Sequence, residues 1–256
     1  MHHAHIDKFA YQDSPIHRLD SRVKFIVVVV FTAVVLSLPR TSLTILTCYA
    51  TGPFAILVLG QIPLRFVFKH ILIVSPFVLI LALSNVLYDR TAITIAFGPF
   101  SWQSTLGWVR CYVIVGKFTV TMMALIALVS TTRFSDLLTG LQKLHLPKVL
   151  IMQLGFLYRY IFILIDRAQH ILRARQIRRL RSLGARKEMK VAAAMVGSLL
   201  VRSLETAENV GIAMEGRGFS GRWHSLSGHK AGRGNVLFAF VAAVFTFGLF
   251  FLARWL

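Results

Sequence analysis

Acidic residues are scarce in this chain: 10 Asp and Glu stand against 29 Lys and Arg in 256 residues, a formal net charge of +19. No pair of carboxylates recurs at metal-binding spacing, and neither HExxH nor a Ser/His/Asp arrangement is present. Cysteine is nearly absent. Cys48 and Cys111 both fall inside apolar runs without a CxxC or Cys/His zinc spacing, so they read as buried thiols rather than as a disulfide or metal ligands. Gly116-Lys117 has Cys111 where a phosphate-binding loop needs glycine. These absences predict no catalytic residue and no metal site. An enzyme of the membrane-transferase kind, which would also carry basic loops, remains in the comparison without its chemistry.

What is present is apolar: 56% hydrophobic residues, 20 Phe and a mean hydropathy of +0.67 exclude an ordinary soluble domain. The basic residues lie between apolar runs, where the positive-inside rule expects them, which argues against nucleic acid as the partner. Spanning helices are expected over Val23–Leu38, short of the usual ~20 residues, then Leu43–Leu59, Phe66–Leu87 with a kink at Pro76, Leu106–Val129, and finally Val236–Leu252. Gly60 and Pro63 break the chain after the second. Thr91–Gly98, with alternating Ile and Thr, reads as an extended loop. The fold class is therefore all-α and polytopic with about five transmembrane helices, divided as 1–130, a long-helix module over 131–233, and 234–256.

The polar first twenty residues hold His2, His3, His5, Asp7 and His17, but imidazoles on a flexible terminus select no metal, and a solvated tail explains them equally well. No cleavable signal sequence is expected. Arg110 and Lys117 stand seven apart on the fourth span. They form either a polar stripe facing a substrate or partner, or a snorkelling arginine beside a lysine that faces another helix; the absence of an acidic counter-ion in the other spans favours the latter.

From Thr131 the composition changes. Ser135 and Asp136 start a short amphipathic helix that Pro147 closes. A long helix follows with Leu150, Leu154, Leu157, Ile161, Leu164, Ala168, Ile171 and Arg175 on one face. Its first part, Val149–Ile165, is interrupted by Gln153, Tyr158, Arg159 and Tyr160 and reads as interfacial; it then turns basic and ends at Gly184. A third helix aligns Met189, Ala193, Val196, Leu200, Ser203, Leu204, Ala207, Gly211 and Met214, small enough in places for a close crossing, and stops at Gly216 and Gly218. Both long helices finish with arginine beside small residues. General attraction to anionic lipid, at about 1 kcal/mol per basic residue, accounts for the charge but not for that recurrence. Small neighbours would let a partner surface approach until a guanidinium grips a carboxylate with two prongs.

Through His5-Ile6-Asp7 with Tyr11, the block from Tyr158 to Phe162, Arg173-Ala174-Arg175, and Met214 to Arg222, the chain resembles the transmembrane T components of energy-coupling-factor transporters, in particular the cobalt-transport CbiQ family. The resemblance implies two coupling motifs that insert into two ABC-type ATPase subunits. They are Ala174, Arg175 and Gln176, with Gln176 where the family often has Gly, and Gly216, Arg217 and Gly218, with Gly216 where it often has Ala. It also implies a separate substrate-binding membrane subunit, cobalt as cargo with nickel as the near alternative, and ATP and Mg held by the ATPase partners rather than by this chain. The basic stretch from Arg133 to Arg233 and the amino terminus are expected in the cytoplasm, with the protein in the inner (cytoplasmic) membrane. A self-contained carrier is the competing reading, and it would need Arg110 and Lys117 to line a path.

Overall fold

A computed structural model describes residues 10–12, 14–39, 43–88, 92–97, 100–144, 146–178, 184–219, 221 and 233–255. Its elements, in chain order, are α1 (Ser21–Ser37), α2 (Leu43–Leu59), α3 (Leu64–Tyr88), β1 (Ala92–Phe97), β2 (Phe100–Thr105), α4 (Leu106–Thr131), α5 (Phe134–Lys143), α6 (Lys148–Arg178), α7 (Ala185–Glu215) and α8 (Arg233–Trp255). The chain divides into two compact units, one from Ile6–Gly140 with Ser227–Leu256, the other from Leu141–Leu226.

The first unit is a bundle of apolar helices. Asp20 caps the start of α1, its carboxylate accepting from the Arg22 N–H at 3.0 Å, and its own N–H donates to Asn235 Oδ1 at 3.0 Å, which ties the start of α1 to the start of α8. Pro39 sets the other end of α1, because the residue before a proline is pushed out of the helical region; Leu38 has ψ 148. Val28, Phe31 and Val35 of α1 pack with Leu46 and Tyr49 of α2 and with Val120, Ala124 and Leu128 of α4. Tyr49, fully buried, donates its hydroxyl to the Thr246 carbonyl of α8 at 2.8 Å. Close approaches depend on glycine: a Cβ at Gly116 would stand 2.4 Å from Leu46 and one at Gly52 2.8 Å from Phe245.

The α2–α3 turn falls at Gly60–Pro63, where a break was expected. The positive φ of 53 falls on Gln61, not on Gly60, and the Ile62 N–H reaches back to the Leu57 carbonyl at 3.1 Å. Leu57 and Ile62 then meet in one apolar cluster, the contact that accompanies such a helix end. Helices α2 and α3 run continuously through Pro53 and Pro76. The segment expected to be an extended loop pairs instead with Phe100–Thr105 as an antiparallel hairpin, in register from Ala92↔Thr105 to Phe97↔Phe100. It is the one sheet among the described residues of an otherwise helical chain.

Among the described residues, four helices are long and apolar enough to cross a membrane, Leu64–Leu87, Leu106–Thr131, Lys148–Arg178 and Gly234–Leu252, and Ile45–Leu59 is a shorter apolar helix. The exposed apolar surface of α3, with Phe68, Phe77 and Ile80 each about two-thirds exposed, fits lipid as the solvent. Val149–Ile165, expected to be interfacial, belongs to a helix that is long and apolar enough to span. Cys111 is buried as expected, but Cys48 is exposed on α2; both are free.

Candidate coupling site

The second unit holds α6 and α7, 31 residues each, or about 46 Å at 1.5 Å per residue. The two run in opposite senses. Arg167 donates from Nη1 to Thr206 Oγ1 at 2.5 Å, and farther along, Arg175 near the α6 carboxyl end pairs with Glu188 in the first turn of α7. A cavity of about 490 Å³ opens on the other side of the Arg167–Thr206 bond, lined by Met152, Phe156, Tyr160, Leu164, Met214 and Phe219 among others.

Of the first motif, Ala174 and Gln176 are exposed, while Arg175 is half-buried at 26% exposure. Arg173, one position before it, donates to Gln169 Oε1 at 3.2 Å on its own helix. Arg178 is exposed in the last turn. Glu188 was not singled out from the sequence. Its signal was scarcity: where only 10 acidic residues exist, one in the first turn of a helix that follows a basic helix end is a candidate partner. At this exposure the pair stabilises by no more than about 1 kcal/mol, so a partner carboxylate that excludes water can displace it.

The second motif is built by the way α7 stops. Gly216 keeps helical geometry (φ −62, ψ −19), so it is not where the chain turns. Gly218 has φ 73, its N–H bonds the Glu215 carbonyl at 2.9 Å, and the Phe219 N–H bonds the Met214 carbonyl at 3.1 Å. That pattern needs glycine at position 218 and puts Arg217 on the shoulder of the turn. Gly216, Arg217 and Gly218 are all exposed, and Arg217 has no ion pair with any described residue.

The two motifs therefore lie at opposite ends of the helix pair. From Glu188, which marks the Arg175 end, to Arg217 is about 40 Å along α7. They do not converge on one spot, and each can meet a different surface.

Two expectations fail here. The apolar stripe read on α7 is largely exposed, with Met189 at 73%, Val196 at 66% and Leu204 at 62%, while the half-buried side runs through Val191, Met195, Leu199, Thr206 and Val210. The close crossing expected from small residues is also not made at Gly211, where a Cβ would meet nothing within 4 Å. The end of α6 lies outside the described residues: the helix is described to Arg178, and Gly184, expected to close it, is the N-cap of α7.

Lys117 faces another helix, as expected. Its Nζ donates to the carbonyls of Leu36 at 3.1 Å and Leu38 at 2.7 Å, capping α1, whose own last turn has no basic residue. Arg110 is half-buried and engaged. Among the described residues no three His, Cys, Asp or Glu side chains gather to hold a metal ion. His2, His3, His5, Asp7, His224 and His229 lie outside the described residues.

Compared with known proteins, residues 12–227 match a family model described as CbiQ, cobalt transport protein. The nickel permease LarQ of Lactiplantibacillus plantarum is 35% identical over 101 residues, 39% of this chain and 36% of LarQ, so the match spans about a third of that relative. The energy-coupling factor transporter transmembrane proteins EcfT of Listeria innocua and Bacillus selenitireducens are each 26% identical, over 82% and 84% of this chain and the same shares of their own lengths.

Proposed function

The chain belongs to the CbiQ cobalt-transport protein family, and on that premise we propose that it is the transmembrane coupling subunit of an energy-coupling-factor importer. In this reading it hydrolyses nothing and holds no cofactor. Two ABC-type ATPase subunits bind ATP and Mg, a separate membrane subunit binds the cargo, and this chain transmits the movement of the first to the second. Arg175 and Arg217 dock one ATPase each. The observation that supports this best is the placement of the two arginine-bearing ends about 40 Å apart on one antiparallel helix pair, a spacing suited to two partners rather than one. Rigid helices make the distance between the ends a fixed quantity, so a change in the separation of the ATPases is felt as a tilt of α6 and α7. The amino terminus and the Arg133–Arg233 stretch face the cytoplasm in this account, because most of the positive charge lies there.

The cargo is cobalt, the metal in the family's description. Nickel is the second reading, favoured by the likeness to a nickel permease. Among the described residues no cluster of metal ligands decides between them. Co-expression with candidate partners tests the proposal: affinity purification of this chain should bring down two ATPase copies and one small membrane protein, and the reconstituted assembly should import cobalt or nickel only with ATP. Import by the chain reconstituted alone would establish the carrier reading instead.

A further inference from the structure

A polar cavity of about 100 Å³ lies in the first unit, where the residues before α1 meet the end of α4 and the start of α5. Three cations line it, Arg18, Lys24 and Arg133, against one carboxylate, Asp136. Lys24 is only 4% exposed. Its Nζ donates to the Thr131 carbonyl at 2.9 Å and, at a long 3.4 Å, to the His17 carbonyl, which leaves one of its three N–H groups to spare. Thr132 also lines the cavity, is 7% exposed, and its hydroxyl has no hydrogen-bond partner among the described residues. Leaving a buried hydroxyl unpaired is costly, so this one is placed to bond whatever enters.

The acidic neighbours of Lys24 are Asp136 and Asp20. Asp20 is committed to the cap of α1, and the Asp136 backbone carbonyl accepts from Ser21 Oγ at 2.6 Å, so the Asp136 carboxylate is the one acidic group of the lining. Arg18 and Arg133 are exposed at the mouth, the Arg133 guanidinium 4.5 Å over the Tyr11 ring. Counting Lys, Arg and Asp alone, the lining is net positive by two charges, three cations less one carboxylate. The cavity also sits at the level where α4 ends as a membrane-crossing helix, at Thr131.

We infer that this cavity binds a phosphate-type oxyanion, with Lys24 and Thr132 at its floor and Arg18 and Arg133 at its mouth. A tetrahedral oxyanion offers several acceptors to donors converging from different directions, which matches an ammonium, a hydroxyl and two guanidinium groups. The same chemistry is presented by a free phosphate and by the headgroup of an anionic phospholipid.

The test uses the full chain in neutral detergent or nanodiscs, with inorganic phosphate and phosphatidylglycerol as probes and thermal unfolding as the readout. Chloride at matched ionic strength and phosphatidylcholine are the controls. Saturable stabilisation by inorganic phosphate identifies a soluble anion; stabilisation by phosphatidylglycerol alone identifies a lipid headgroup; either supports the site. In both cases Arg18→Gln, on the surface, should weaken the response about tenfold, and Thr132→Val, which keeps the shape, should weaken it several-fold. Loss of the response in folded variants, confirmed by circular dichroism, completes the support. No saturable shift with either probe, an equal shift with chloride, or an undiminished response in both variants would overturn the inference.

Discussion

Replacing Lys117 by Met tests whether a cation inside the bundle is there for packing or for transport. The ammonium holds two carbonyls at the end of α1, Leu36 and Leu38, at 3.1 and 2.7 Å. Hydrogen bonds to charged groups contribute about 1.5–3 kcal/mol each, and Leu38 is 3% exposed, so water replaces the lost donor poorly there. Met keeps most of the side-chain volume and recovers part of the loss by apolar contact. The expected net cost is therefore about 2–4 kcal/mol, or a fall of about 5 °C or more in melting temperature on the soluble-domain scale. Thermal unfolding in detergent measures this, alongside transport per folded molecule in the assembled complex. The stability should drop while transport per folded molecule stays near the parent value. An unchanged melting temperature with transport abolished would refute the capping argument and put Lys117 on a substrate path.

Glu188→Gln releases Arg175 from its partner on α7 and should leave ATPase co-purification equal to the parent or up to about fivefold stronger, since the pair costs no more than about 1 kcal/mol to break; a loss as severe as that of Arg175→Ala would mean the pair itself shapes the docking end. At the close of α7, Gly216→Ala should be neutral or slightly stabilising, because that residue is already helical and a Cβ there meets only ordinary contacts, the nearest at 3.5 Å. Gly218→Ala should cost about 1–2 kcal/mol through its φ of 73, so unfolding measurements that rank the two substitutions the other way would contradict the turn described here. Replacing His2, His3 and His5 together by Ala should leave most transport intact in metal-uptake assays on the assembled complex, and complete loss with normal assembly would place the ion path in this subunit.

The helices were legible because apolar runs and their punctuation are local signals. The α2 boundaries coincide with those expected, Leu43–Leu59; α3, α4 and α8 extend the expected ranges by a few residues, and α1 starts at Ser21 and stops at Ser37, just short of the expected Leu38. What the sequence hid was pairing across distance. Nothing near Lys117 names the end of α1, some 80 positions earlier, as its partner. The face of α7 was misread for a related reason: on a long helix in or beside a membrane, apolar residues mark lipid or partner surfaces as readily as a core, so Met189 and Val196 gave a stripe without giving its orientation. Glycine was misleading in another way. It correctly flagged the turns after α2 and α7, but the left-handed residue is Gln61 in the first, and after α7 it is Gly218 and then Gly221, not Gly216. The two arginines were found by their small neighbours; that Arg175 is held by Glu188 while Arg217 stands exposed needed the folded helix pair.

The most direct test of the two-point coupling account compares Arg175→Ala, Arg217→Ala and Arg178→Ala in the assembled complex at matched expression, measuring ATPase co-purification and metal uptake together. Truncating an arginine that grips a buried carboxylate of a partner costs about 2–5 kcal/mol. Arg217→Ala should approach that loss. Arg175→Ala should lose somewhat less, because docking there already gives up the Glu188 pair. The double variant should be the worst, since both anchors of a bivalent attachment are gone. Arg178, exposed in the same last turn of α6 but outside the motif, should matter little. Equal and mild losses at all three positions would contradict the account and leave a basic surface that attracts lipid without coupling anything.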